Sequence, residues 1–91
     1  MKHIVVDLEM NPVSKEYREV RRKLNGEIIE IGAVRLNENY EQEDEFQCYV
    51  CPEYGMVKKH ITELTGITQE KVAGHPVFSE SFLSFVTWIG E

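Results

Sequence analysis

The stretch Ile4-Val5-Val6-Asp7-Leu8-Glu9-Met10-Asn11 decides how the rest of this 91-residue chain reads. A continuous apolar run ending in acids predicts a short buried strand over residues 2–8. Asp7 and Glu9, two apart, point to the same face of such a strand. Like charges on one face repel, so stability gives no reason to place them together. A divalent cation between them reverses that balance. Without one they are the solvated end of a strand, and the spacing alone leaves both readings open.

Residues 10–26 differ in kind from the strand. They open on Met10-Asn11-Pro12, close on Asn25-Gly26, and carry Lys15, Arg18, Arg21, Arg22 and Lys23. Ser14 is placed to cap a short helix over residues 15–24 with a thin apolar stripe of Tyr17, Val20 and Leu24. A connection this long in a small domain is often functional or mobile. A second strand follows over residues 27–36, with Ile29, Ile31 and Ala33 on one face and Ile28, Glu30, Gly32 and Val34 on the other. Asn37-Glu38-Asn39 marks a turn. Residues 43–50 form a third strand that pairs back on the second, and Pro52 ends it.

The pattern then turns helical. Residues 60–64 make a short helix closed by Gly66. Thr68 caps another over residues 69–73, ended by Gly74 and Pro76. Phe78–Ile89 is the clearest helix, with Phe78, Phe82, Phe85, Val86 and Ile89 in one stripe, Ser79 as its cap and Gly90 at its end. Three strands and then helices predict an antiparallel meander in an α/β arrangement. No strand follows the last helix, so the chain reads as the N-terminal half of a larger layered fold.

Composition sets bounds on function. The chain is 42% hydrophobic and 29% charged with a net charge of −6, which fits one small domain. A domain this size buries only about 60–65% of its unfolded surface. An acidic chain does not bind nucleic acid through charge alone, because that binding runs on Lys and Arg neutralising phosphates. An acidic metal site can, however, bring its own cations to a phosphate. No run approaches the ~18 apolar residues of a membrane span, and the N-terminal apolar stretch is short for a secretory signal. Two cysteines cannot build a disulfide framework. The expectation is a soluble cytoplasmic protein with no membrane partner.

Four blocks occur in order: Ile4-Val5-Val6-Asp7-Leu8-Glu9-Met10-Asn11, Glu27-Ile28-Ile29-Glu30-Ile31-Gly32-Ala33-Val34, Phe46-Gln47-Cys48-Tyr49-Val50-Cys51-Pro52-Glu53 and Leu64-Thr65-Gly66-Ile67-Thr68-Gln69-Glu70-Lys71-Val72. Together they resemble the DEDD-type 3′→5′ exonucleases of the DnaQ-like, RNase H-like superfamily, and within it the Eri-type enzymes and their bacterial relatives. The resemblance covers essentially all 91 residues. It implies an RNase H-like fold, present here as its N-terminal portion, and metal-dependent removal of nucleoside monophosphates from the 3′ end of single-stranded RNA or DNA. It also implies that Asp7 and Glu9 are the first two of four metal-binding acids, serving two Mg2+ or Mn2+ ions. Met10 and Asn11 would line the terminal nucleotide, and Asn11 departs from the Thr that many relatives carry. Leu64 and Thr65 would approach the terminal base; read from the residues alone, they are a helix-end packing motif.

The pattern is incomplete. Two further aspartates and a general base, usually His, would lie beyond Glu91, and His3, His60 and His75 do not match that motif. The 91-residue chain is therefore expected to be inactive or nearly so by itself. A competing expectation comes from bacterial relatives described as regulators of sporulation signalling, namely a non-catalytic protein-binding module. An uncovered apolar sheet edge would favour a homodimer.

Three other features carry less. Glu30, between two isoleucines, needs a partner if partly buried and reads as a hydrogen-bonded structural acid, or as one standing behind the metals. Cys48 and Cys51 lack a second pair for zinc and sit three apart, on opposite sides of a strand. The basic run 15–23 is either a solvated face or a contact for the nucleic-acid backbone, with Tyr17 as a stacking surface.

Overall fold

The structure, a computed structural model, describes residues 2–91. The elements run β1 (His3–Pro12), α1 (Arg18–Lys23), β2 (Gly26–Leu36), β3 (Gln42–Tyr49), α2 (Lys59–Thr65), α3 (Gln69–Val72) and α4 (Phe78–Ile89). The strands form one antiparallel sheet in the order β1-β2-β3, the expected meander. β1 is an edge strand and four residues longer at its C-terminal end than the apolar run alone suggests. Its extension, Glu9 to Pro12, pairs with the start of β2.

That extension contains a register shift. Glu9 pairs with Glu30 but Met10 pairs with Ile28, so Ile29 is skipped. A β-bulge of this kind turns the extra residue off the strict alternation. The expected grouping of Ile29 with Ile31 and Ala33 is therefore corrected. Ile31 and Ala33 pack with Val50, Phe85 and Trp88, and the half-buried Ile28 joins them under α4. Ile29, fully buried, instead packs with Ile61, Ile67 and Val72 of α2, α3 and their connection. One strand thus feeds two small cores on opposite faces of the sheet.

The helices end where local chemistry stops them. Gly66 follows α2 with φ of 78°, a left-handed conformation open to glycine at little cost. The Thr68 hydroxyl accepts from the Lys71 amide at 3.2 Å, the expected cap of α3. Ser79 does not cap α4, which starts at Phe78 with Val77 in the cap position and no side-chain cap. The buried residues of α4 are Ser81, Phe85 and Trp88, not the whole aromatic stripe; Phe78, Phe82, Val86 and Ile89 are substantially exposed. Ser14 does not cap α1 either. It is buried, its amide donates to the Tyr54 carbonyl, and α1 starts only at Arg18.

α4 is held at its far end by a residue from β2. Arg35 is buried, and its guanidinium donates to the carbonyls of Trp88, Ile89 (3.4 Å) and Glu91 (2.8 Å). It also lies 4.5 Å from the centre of the Trp88 ring, a cation–π contact. The indole N–H donates to Asp44 of β3 at 2.9 Å. A cation on the last carbonyls of a helix also complements the dipole. Among the described residues, no helix is long and apolar enough to cross a membrane. The chain is elongated, 46 × 26 × 22 Å with a radius of gyration of 14.7 Å, against roughly 12 Å for a compact domain of this length. Val5, Val6 and Leu8 on β1 are left about half exposed.

Arg35→Met removes these bonds and leaves helix-end carbonyls without partners. It is expected to lower the unfolding free energy by about 2 kcal/mol, read from urea denaturation. A change under about 0.5 kcal/mol, as for ordinary surface substitutions, would contradict this account.

Candidate functional site

β1 positions the two acids. Leu8 pairs with Ile31 on the α4 side of the sheet, so Asp7 and Glu9 share the opposite face, the side on which α2 packs against β1. Asp7 is exposed and stands opposite Gly32. With no side chain at Gly32, nothing from β2 crowds the Asp7 carboxylate. Glu9 is half-buried and directly opposite Glu30. Like charges directly opposite across an antiparallel pair are destabilising. Glu30 is fixed by Gln47, whose side-chain amide donates to its carboxylate at 2.8 Å. That is the structural, hydrogen-bonded reading of Glu30, and it leaves Glu9 facing a held negative charge.

Among the described residues, no group of three or more His, Cys, Asp or Glu is arranged to hold a metal ion. The donor set here is two carboxylates. Mg2+ commonly takes one or two carboxylates and completes its shell with waters and substrate phosphates. Asp7 and Glu9 therefore fit an ion shared with a phosphate, not an all-protein cage.

The other expected site residues divide. Asn11 is fully buried; its side chain accepts from the Lys58 amide at 2.9 Å and donates to the Met56 carbonyl at 3.1 Å. Its polar atoms thus fasten the 56–58 segment to β1. Met10 faces away from the acids and lines a separate apolar cleft with Leu24, Ile28 and Phe78. The Thr65 hydroxyl donates to the Ile61 carbonyl at 2.8 Å and accepts from the Ile67 amide at 3.0 Å, closing the end of α2. Leu64 is 81% exposed, free to meet another molecule.

Cys48 and Cys51 are free thiols. Burial pushes the Cys48 thiol up, and the nearby Glu30 charge adds to this; hydrogen bonds from the Ile31 backbone and Ser81 pull it partly back. A thiol so placed is a poor nucleophile and metal ligand.

Lys58 was not legible as part of the site. It lies 35 residues beyond the basic run in sequence, yet its ammonium donates to the Ser14 hydroxyl at 2.8 Å and lines a cleft with Lys15, Arg21 and His60. Only the three-dimensional course of the chain brings these together.

The exonuclease family model designated RNase T matches residues 4–91. The chain belongs to this exonuclease family. It is 38% identical over 88 residues to a DNA polymerase III PolC-type from Clostridium perfringens (strain 13 / Type A), covering 97% of this chain and 5% of that protein. The structure of a full-length 3′-exonuclease superposes with a TM-score of 0.80 at 30% identity, over 98% of this chain and 29% of that one. A 3′-exonuclease structure showing 3′-end-specific recognition of a histone mRNA stem-loop gives the same TM-score and identity, over 98% and 39%. Cell-death related nuclease 4 shares the fold, with a TM-score of 0.76 at 20% identity. The three-stranded sheet with its helices is thus the N-terminal part of an RNase H-like, DEDD-type exonuclease fold. The chain spans about a twentieth of its curated relative's length and less than half of these exonucleases.

In this chain, the unfavourable Glu9–Glu30 pairing is expected to show as a stability cost when no divalent ion is present. Glu9→Gln should raise the melting temperature in chelator. A lower melting temperature would mean that Glu9 serves the fold, not a ligand.

Proposed function

We propose that this chain supplies Asp7 and Glu9 as the first metal-binding carboxylates of a 3′→5′ exonuclease. The enzyme would depend on Mg2+ or Mn2+ and release nucleoside monophosphates from the 3′ end of single-stranded RNA or DNA. The observation that carries the reading is the placement of both acids on one face of an edge strand, beside Gly32 and against Glu30. Among the described residues no ion pair explains the arrangement, and a cation shared with a phosphate does.

When bound, the ions would neutralise charge on the scissile phosphate and orient its oxygens. Asp7 and Glu9 are the residues that would hold these ions beside the scissile phosphate. The reaction is a substitution at phosphorus: the oxygen of a water bonds to phosphorus, the bond to the preceding nucleotide's 3′ oxygen breaks, that oxygen takes up a proton as a hydroxyl, and the terminal residue is released as a nucleoside 5′-monophosphate. In this reading Leu64 meets the terminal base and Thr65 sets the turn that presents it. Met10 and Asn11 act through the strand backbone and the 56–58 segment rather than by side-chain contact. The remaining acids and the general base lie outside these 91 residues, so the chain by itself turns over little or no substrate. Two unpaired thiols suit a cytoplasmic location.

The reading is tested by titrating AMP into the chain with Mn2+ and with chelator. AMP should bind appreciably only with Mn2+, since the ion links phosphate to protein. Asp7→Asn should weaken Mn2+ binding by at least about tenfold, the lower range for substitutions one step removed from a metal. AMP binding that ignores both chelator and Asp7→Asn would overturn the assignment.

A further inference from the structure

α1 is a helix that packing does not explain. It has six residues, none of them buried. Helices this short are marginal on their own. Arg18, Arg21 and Arg22 stand at i, i+3 and i+4, a like-charge arrangement that costs helix stability. The nine residues 15–23 hold five of the chain's ten Lys and Arg against two acids, while the rest of the chain holds fourteen acids. Among the described residues, Arg22 pairs with Glu19 at 3.7 Å, and no ion pair is found for Lys15, Arg18, Arg21 or Lys23. Cations left unpaired in an acidic protein are available to an external anion.

The segment is nevertheless fastened down. The Val13 amide donates to Asn25 at 3.0 Å, the Ser14 amide to Tyr54 at 2.9 Å and the Tyr17 amide to Ser14 at 3.1 Å. Tyr17 packs edge-on against Tyr54 at 5.7 Å. Gly55, with φ of 125°, lies so close beneath Ser14 that any larger residue would collide with its side chain. Two open clefts result, sharing Lys15 and Arg21. One includes Lys58 and His60, the other Arg18 and Arg22. Lys58 is locked onto the Ser14 hydroxyl at 2.8 Å, so its charge is oriented in advance.

Position supplies the ligand. The cleft with Lys58 opens at Pro12, where the strand carrying Asp7 and Glu9 ends, and Lys58 and His60 flank the start of α2 on the carboxylate face. Five residues of strand separate Asp7 from Pro12, roughly 17 Å. Phosphates at least about 3.4 Å apart along one strand put no more than about five nucleotides in that interval.

Resting on the exonuclease reading above, we infer that the clefts around Lys15, Arg18, Arg21 and Lys58 grip the phosphate backbone of the single strand whose 3′ end lies at Asp7 and Glu9. The contacts are sequence-independent, since they meet phosphates and not base edges. They offset the repulsion that a net charge of −6 exerts on an approaching polyanion.

The test is anisotropy of a labelled oligo-dT with the 91-residue chain in chelator, across a salt series. Arg18→Gln/Arg21→Gln should flatten the slope of log K against log salt by about 1.4, and weaken binding roughly 25-fold at 0.1 M salt, at about 0.7 per phosphate contact. Lys2→Gln/Lys71→Gln, with the same loss of charge elsewhere, should leave the slope unchanged. Equal effects of the two variants, or no oligonucleotide binding by the wild type at low salt, would overturn the inference. Binding to phosphatidylserine vesicles with no binding to the oligonucleotide would also overturn it. Chelator keeps the metal out of this measurement. Failure of the clefts therefore appears as an unchanged slope, and failure of the exonuclease reading as metal-independent AMP binding.

Discussion

The skipped residue Ile29 is the constraint on which the rest of the structure depends. Regular alternation along β2 would put Ile29 beside Ile31 under α4, and α2 and α3 would have no apolar floor. The bulge turns Ile29 into the cluster with Ile61, Ile67 and Val72, and leaves Ile28 and Ile31 facing α4. A 91-residue chain thereby covers parts of both sheet faces with two short helices and one longer one. The same shift falls between Glu9 and Met10. Asn11, two residues past Glu9 on the same strand face, is buried and pins the 56–58 segment. The position of α2 beside the carboxylates follows from these two anchors.

Charge placement works against stability in two places, one on β1 and one in the helix that follows it. Glu9 faces Glu30 across the sheet. Beyond the other end of that strand segment, cations crowd a helix with no buried residue. Elsewhere charges are placed for the fold: Arg35 on the end of α4, Lys2 on Glu43 at 2.9 Å, Glu27 accepting from the amides of Glu53 and Tyr54 at 2.8 Å. The contrast separates charges that hold the protein together from charges held for a ligand. A phosphodiester strand with its metal ions answers both unfavourable clusters at once.

What sequence reveals here tracks the range of the interaction involved. The limits of Phe78–Ile89, the left-handed Gly66 and the Thr68 cap are local effects and were readable directly. The meander followed from strand length and a short turn, in which the Asn37 side chain accepts from the amides of Asn39 and Glu41. The bulge was not readable, because it is a property of two strands in register. Nor was the burial of Ser81 and Trp88 in preference to the aromatic stripe. Arg35 and Asp44 fix the Trp88 ring from residues more than forty positions away, and the helix turns to suit that contact. Asp7 and Glu9 stood out early because their spacing makes little sense without a ligand. Asn11 and Ser14 looked like ligand-contacting or capping residues, yet both are buried anchors.

The central claim is that the cation belongs at Asp7 and Glu9 and not at whichever acids are most exposed. The run Glu43-Asp44-Glu45 on β3 is the natural competitor, being more densely acidic and exposed. Paramagnetic broadening of backbone amide resonances by substoichiometric Mn2+ decides between them in one titration. The account predicts early loss of the Asp7, Leu8, Glu9, Glu30 and Gly32 signals, with those of residues 43–45 persisting. Broadening that begins at residues 43–45, or spreads evenly over all acidic positions, would contradict it.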